Sequence, residues 1–261
     1  MLGINRTHYL GTVASPPDLK YTPAGLAILE LTVAGRGEVV TAAGEVKHPA
    51  FYNRCKAFGK YAESLAETLQ QGDVVSVHGR LEYRAYEVEG DRRSTVETVI
   101  DTIGTLNGRF VTEDDRREQP VLVGGLNSVT VGGNLTKGAE LKRLPTGLCV
   151  TRLAVAVNER YSGKGGDSER VGYFELQAWG ELAEALAEGA KGQGVIGVGR
   201  LVNESWDDPH GTKRYATKVE LAWAHLVASS RAKNTATAKP EQAKPTEQRG
   251  EAFPPEETLP F

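Results

Sequence analysis

Cysteine is nearly absent, with Cys55 and Cys149 the only two among 261 residues. They form no CxxC pair and occupy no matching positions of the repeat described below. A disulfide framework and a cysteine-based zinc site are therefore not expected, and both thiols read as reduced side chains within strands. Long apolar runs are missing too, so no segment reads as a membrane span. Met1 to Leu10 lack the charged-then-apolar layout of a signal peptide, which makes the cytoplasm the expected compartment. Charge of one sign is also lacking: Lys and Arg number 31 against 34 Asp and Glu, a net charge of −3. Neither half is basic, with 12 cations against 13 anions over 1–110 and 13 against 12 over 121–231. Any binding of nucleic acid has to use a local stripe rather than a global field.

Catalytic signatures are missing as well. The 5 histidines, His8, His48, His78, His210 and His225, form no HxxxH or HExxH. None recurs at a matching position of both repeats, and no GxSxG occurs. Gly192-Gln193-Gly194-Val195-Ile196-Gly197 satisfies GxGxxG literally, but a dinucleotide fingerprint needs a strand before it and a helix after it, and here the order is reversed. Gly163-Lys164-Gly165-Gly166 lacks the frame of a P-loop and reads as a hairpin tip. No enzyme, cofactor or metal is expected.

What is present is a duplication. Leu19 to Ala34 lies over Leu141 to Ala156 without a gap, and the register continues through Phe58-Gly59-Lys60 over Trp179-Gly180-Glu181 and Gly79-Arg80-Leu81 over Gly199-Arg200-Leu201. Each copy has roughly 100 residues, enough to bury its own core, so the repeat is a tandem of whole domains. Within the first copy, apolar alternation marks strands near 4–14, 26–36, 50–59, 73–84 and 95–106. Only Ala62, Leu65, Ala66 and Leu69 have helical spacing, ended by Gly72, with Ala183, Leu186 and Ala190 as the counterpart. One helix between the third and fourth of five strands is the layout of an OB-fold barrel. The expected class is all-β with one short helix per domain: OB-fold domains over 1–107 and 126–228, a charged connector over 108–125, and a disordered tail over 229–261. That tail is rich in Ala, Lys, Thr, Pro, Glu and Gln, too polar to fold, and ends in an apolar tip.

Alternation sorts the third strand. Tyr52, Arg54, Lys56 and Phe58 share one face, and Phe51, Asn53, Cys55 and Ala57 the other. The first set interleaves rings and cations, an arrangement suited to single-stranded nucleic acid, whose bases stack on rings at ~1–3 kcal/mol each while its phosphates meet the cations. A solvated sheet face with snorkelling side chains is the equal alternative for this strand alone. Arg80, Arg84 and Tyr86 follow at one parity. In the second copy Tyr173, Glu175, Gln177 and Trp179 form the corresponding line, followed by Arg200 and Trp206. Rings recur there while the cations between them largely do not, which favours stacking platforms. Trp223 shares parity with Val219 and Leu221 and is expected in the core.

These residues resemble the bacterial single-stranded DNA-binding proteins. The cues are Tyr21-Thr22-Pro23-Ala24-Gly25, Arg54 with Phe58-Gly59-Lys60-Tyr61-Ala62-Glu63, and Leu259-Pro260-Phe261, and the resemblance covers residues 3–228 twice over. Two OB domains per chain resemble the form of the Deinococcus and Thermus group, which implies a homodimer supplying four OB domains and wrapping single-stranded DNA. The resemblance places stacking at Tyr52, Phe58 and Tyr86 and at Tyr161, Tyr173, Trp179 and Trp206, with Arg54 a basic position whose counterpart here is Glu175. The position of Tyr161 falls near Val39 in the first copy. It also implies nucleoid association and roles in DNA replication, recombination and repair, with a tip of Glu256, Glu257, Leu259, Pro260 and Phe261 recruiting partner proteins, although that tip is poorer in Asp than is usual. The rival readings are a protein-interaction scaffold built on OB domains and a nucleotide-dependent enzyme resting on the rejected GxGxxG.

Overall fold

Why the chain closes twice into barrels follows from its period-2 alternation, which gives each strand one buried face. The computed structural model describes residues 3–41, 44–88, 91–163, 166–207 and 213–228, with side chains for all of these except 86–88, 91–93, 160–163, 166–168, 206, 213 and 214. In the first half the strands are β1 (Ile4–Val13), β2 (Asp18–Tyr21), β3 (Ala27–Arg36), β4 (Val39–Val40), β5 (Val46–Lys47) and β6 (Ala50–Phe58). Helix α1 (Gly59–Thr68) follows, then β7 (Val74–Val88) and β8 (Asp91–Thr105). The connector forms a hairpin of β9 (Thr112–Asp114) and β10 (Pro120–Val123). The second half holds β11 (Leu126–Leu135), β12 (Glu140–Arg143), β13 (Cys149–Gly163), β14 (Gly166–Trp179), α2 (Gly180–Leu186), β15 (Gly194–Asp207) and β16 (Lys213–Leu226).

Strand β1 pairs with both β3 and β7, β7 with β8, β8 with β6 in parallel, and β6 with β3, which closes a five-stranded barrel. The same circuit recurs through β11, β13, β14, β16 and β15. This connectivity, with the helix between third and fourth strands, is the OB-fold. Beads of alternate residues, Leu29, Leu31 and Val33 on β3 and Leu153, Val155 and Val157 on β13, fill the two interiors.

An antiparallel pairing of β1 with β11 joins the barrels, and its register shows how. Thr7 faces Val129, the residue that occupies its own position in the repeat, so a pseudo-twofold axis passes between them. The axis relates Asn5 to Asn127, and both do the same work. Each side-chain amide accepts from the backbone N–H and donates to the backbone C=O of one residue, Leu81 or Leu201, at 2.8–3.0 Å. Beside them the ladder slips by one residue at Gly79 and at Gly199. A Cβ at Gly79 would lie 2.2 Å from the Val99 carbonyl, and one at Gly199 2.0 Å from that of Glu220, so only glycine fits either bulge.

The second bulge corrects the expectation for Trp223. Val198 pairs with Trp223 but Gly199 with Leu221, leaving Ala222 as the extra residue. Parity therefore inverts: Val219, Leu221 and Ala224 are buried, while Trp223 is 47% exposed, with its ring edge-on to His225 at 4.8 Å. Trp223 is a surface residue of the sheet that β16, β15, β11, β1, β7 and β8 share.

Candidate nucleic-acid interface

The third strand of each barrel leads into its helix through an aromatic residue and a glycine. Gly59 and Gly180 take φ of 63° and 58°, a left-handed turn that swings the chain from strand to helix at little cost for glycine. The ring before each glycine, Phe58 or Trp179, sits at the helix N-cap and stays half-buried. Tyr52, Arg54, Lys56 and Phe58 do share the outer face of β6, while Phe51, Asn53, Cys55 and Ala57 are buried. On β14 the ring of Tyr173 is 52% exposed and Phe174, Leu176 and Ala178 point inward. Gln177, by contrast, is buried.

The cations divide into two groups. Arg54 and Arg84 are exposed, and among the described residues no carboxylate pairs with either. Lys56 is only 12% exposed and lies between Glu30 at 3.0 Å and Glu97 at 2.6 Å. Burial works to lower the Lys56 pKa, but hydrogen bonds to Glu97 and Glu30 outweigh it and the net shift is upward. Lys56 donating to Glu30 in turn holds that carboxyl below its usual range, against the opposing effect of burial. Arg80 pairs with Asp101 and lies 3.9 Å from Glu159 of the second barrel. Arg200 directs Nε and a terminal nitrogen at one oxygen of Glu220, at 3.0 and 2.7 Å. A strand's phosphate would have to displace these carboxylates before it could use Lys56, Arg80 or Arg200.

The second barrel repeats the charge motif with other positions. Lys218 lies 2.7 Å from Glu204 and 3.7 Å from Glu175, and 3.5 Å from the Gln177 side-chain oxygen. In the repeat, Glu175 stands where the first copy has Arg54, and Glu204 where it has Arg84.

Contacts between the barrels supply residues that strand parity did not nominate. The β7–β8 arm carries Tyr83 edge-on to Tyr173, with ring centroids 5.9 Å apart, and Glu82 pairs with Arg170. Symmetrically, Asn203 on β15 donates to the Tyr52 carbonyl at 3.0 Å. Tyr83 and Asn203 occupy the same position of the repeat, and both long hairpins reach over the other barrel's third strand. Tyr83 shares parity with buried Leu81 and has no sequence signal of its own. The side chains of Tyr86, Tyr161 and Trp206 lie outside the described residues; their backbones belong to β7, β13 and β15. Glu256, Glu257, Leu259, Pro260 and Phe261 lie outside the described residues altogether.

Two closed five-stranded barrels, each with rings at the outer end of its third strand and one helix below, define a tandem OB-fold protein. A family model described as the Single-strand binding protein family matches residues 4–106 and again 126–226, and the chain belongs to that family. It is 41% identical over 267 residues to a single-stranded DNA-binding protein of Thermus thermophilus, covering 99% of each chain. To that of Deinococcus radiodurans it is 38% identical over 229 residues, 87% of this chain and 76% of the other. The crystal structure of the wild-type Thermus aquaticus single-stranded DNA binding protein superposes with a TM-score of 0.69 at 34% identity, covering 94% of this chain and 98% of that one.

Proposed function

We propose that this chain binds single-stranded DNA without strong sequence preference, through the outer faces of both barrels, and performs no catalysis. The observation that carries the reading is the recurrence of ring positions across the pseudo-twofold axis: Phe58 with Trp179, and Tyr52 with Tyr173, on faces otherwise different in charge. Stacking is indifferent to base identity because every base has a π-face, so a surface that keeps rings and varies its polar residues reads strands rather than sequences. The relatives' names, single-stranded DNA-binding protein, point the same way. Arg54 and Arg84 meet phosphates in the first domain, 1–107, and rings dominate in the second, 126–228.

The functional unit in this reading is a homodimer with four OB domains. Its interface is the six-stranded face on which Trp223, Ile196 and Val198 lie beside Ser128, Thr130 and His8. An indole left 47% exposed on a sheet face is the kind of surface a second copy covers. The tail tip, Glu256 to Phe261, recruits replication, recombination and repair proteins, its apolar end and flanking carboxylates suiting a pocket with a basic rim.

Titration with oligonucleotides of increasing length, read by native mass spectrometry at several salt concentrations, tests ligand and assembly together. Salt-dependent binding of single strands by a two-chain species is expected. Binding that ignores salt and DNA alike, with capture of protein alone, would favour the scaffold reading instead. Trp223→Glu is expected to give folded monomers; an unchanged dimer would remove the six-stranded face as the interface.

A further inference from the structure

The two equivalent tyrosines of the repeat are not equally open, and the pseudo-twofold axis provides the control. Around Tyr173, the outward neighbours Ala156 and Thr136 are partly exposed. Their counterparts around Tyr52, Ala34 and Ala14, are 0% exposed, and Tyr52 itself is half-buried against them and Val121. The difference is the connector hairpin, which has no equivalent on the other barrel among the described residues. Strand β10 runs parallel to the end of β3, with Leu122 opposite Gly35 and Val123 opposite Arg36, and buries Val121 and Leu122. Thr12 donates its hydroxyl to the Pro120 carbonyl.

At the tip of that hairpin Asp115 uses both oxygens. Oδ1 accepts from the Arg117 amide at 2.7 Å and the Gln119 amide at 3.0 Å, which fixes the turn. Oδ2 accepts from the Tyr52 hydroxyl at 2.8 Å. The bonds from Gln119 and then from Tyr52 hold the Asp115 carboxyl below its usual range, so it stays ionised at the ring's edge. A nucleotide reaching for Tyr52 therefore meets a fixed negative charge, which repels its phosphates, as well as hairpin atoms beside the ring.

We propose that the connector hairpin is the resident occupant of the Tyr52 site, with Asp115 as the positioning residue that keeps this ring closed while Tyr173 stays open. The proposal rests on the single-stranded DNA reading and deepens it, because it makes the two barrels unequal in which ring a strand meets first. Arg36 and Arg117 lie close enough to act on the Tyr52 hydroxyl electrostatically, so removing the Asp115 charge takes away the carboxylate at the ring and leaves both guanidinium groups beside it.

Nitration of the full chain by tetranitromethane, quantified at Tyr52 and Tyr173 by peptide mass spectrometry, tests it. Without DNA, Tyr52 is expected to react roughly tenfold more slowly than Tyr173, the order of effect of one hydrogen bond to a charged group. Asp115→Ala is expected to bring the two rates together. Single-stranded DNA should slow Tyr173 alone in the wild type and both tyrosines in the variant. Equal rates in the DNA-free wild type, or equal protection of both rings by DNA there, overturn the proposal. If DNA protects neither tyrosine in either protein, the DNA-binding reading fails, while the DNA-free rates still decide the role of Asp115. Should Asp115→Ala lose the turn, Asp115→Asn keeps its carbonyl acceptor and removes the charge. Its affinity for single strands at low salt should rise about threefold, the scale of one exposed charge pair, and an unchanged or weaker affinity overturns the proposal.

Discussion

Lys56 and Arg54 lie two residues apart on one face of β6, and their environments assign them opposite roles. Replacing Lys56 by Gln removes an ammonium held 2.6 Å from Glu97 and 3.0 Å from Glu30. The Glu97 side chain is 10% exposed, so the change strands a nearly buried carboxylate. Breaking such a pair from one side costs about 3–5 kcal/mol when both partners are fully buried. Glu30 remains 40% exposed and the new amide can still donate one hydrogen bond, so about 2–3 kcal/mol is the expected loss here. For a folded unit of this size that corresponds to a fall of roughly 5–10 °C in Tm. The salt dependence of DNA binding should not change, because Lys56 neutralises carboxylates rather than phosphates.

Arg54→Gln should show the reverse. The exposed guanidinium has no carboxylate partner among the described residues, so its loss should leave stability within about 0.5 kcal/mol. Each phosphate contact on a single strand contributes roughly 0.7 to the slope of log affinity against log salt, and the slope should flatten by that amount. Calorimetry of the free proteins and fluorescence titrations at four salt concentrations supply both quantities. A Lys56→Gln protein with an undiminished Tm and a slope flattened as much as that of Arg54→Gln would refute the reasoning, since it would mean that the ammonium leaves its carboxylates for DNA.

Of the tryptophans with described side chains, Trp179 is the one on a barrel's third strand, so Trp179→Phe should remove a large part of the fluorescence quench caused by single strands. Trp223→Phe should leave the quench in place, and the opposite result would show that the six-stranded face meets DNA. Burial first, then the bond to Asp115, pushes the Tyr52 phenol from the ordinary 10.0 up to about 12. Its contribution to stability is therefore present below pH 10 and lost as pH rises through about 12. In an ultraviolet titration Asp115→Ala should lower the midpoint of this phenol while leaving the part of the shift that burial causes. His8 stacks on His78 with ring centroids 4.1 Å apart, and burial, then that neighbour, lowers its pKa below 6.5. Its neutral form is the native one, so thermal stability should fall as the pH drops below 6.5, and His8→Asn should flatten that fall; an unaltered profile would clear the histidine pair of any role.

Much of the fold is legible because duplication reads the same pattern twice. Alternation correctly divides outer from inner residues on β6, and on β14 from Tyr173 to Trp179 at every position except Gln177, which is buried, since a strand with one buried face leaves period 2 in its residue types. Trp223 shows where that logic stops. One extra residue at Ala222 inverts the parity of everything after it, and the only trace in the sequence is Gly199, a glycine whose reason lies in the approach of the Glu220 carbonyl across the ladder. The charged stretch around Asp115 carries no strand signal, because the β9–β10 hairpin is held by the edge of β3 and by Tyr52, 63 residues away in sequence. Alternation puts Lys56 on the correct face, but its two carboxylates come from β3 and β8, and no local pattern records such pairings.

Carrying both barrels on one chain is what allows their faces to part company. Each face needs its semi-buried ammonium balanced, and each does so with two carboxylates, but the parts are exchanged. In the first barrel Lys56 on the third strand lies between Glu30 and Glu97. In the second, Gln177 takes the place of Lys56, Lys218 takes that of Thr98, and the carboxylates Glu175 and Glu204 stand where Arg54 and Arg84 are exposed. Balancing Lys218 in this way uses the very positions that leave the first barrel its unpaired cations, and the second barrel is accordingly proposed to bind through its rings. The connector weighs in the opposite direction, covering Tyr52 on the cation-bearing barrel and leaving Tyr173 open on the other. A chain with a single barrel presents one face in every copy; here the two faces differ by a charge exchange at a few positions and by one hairpin.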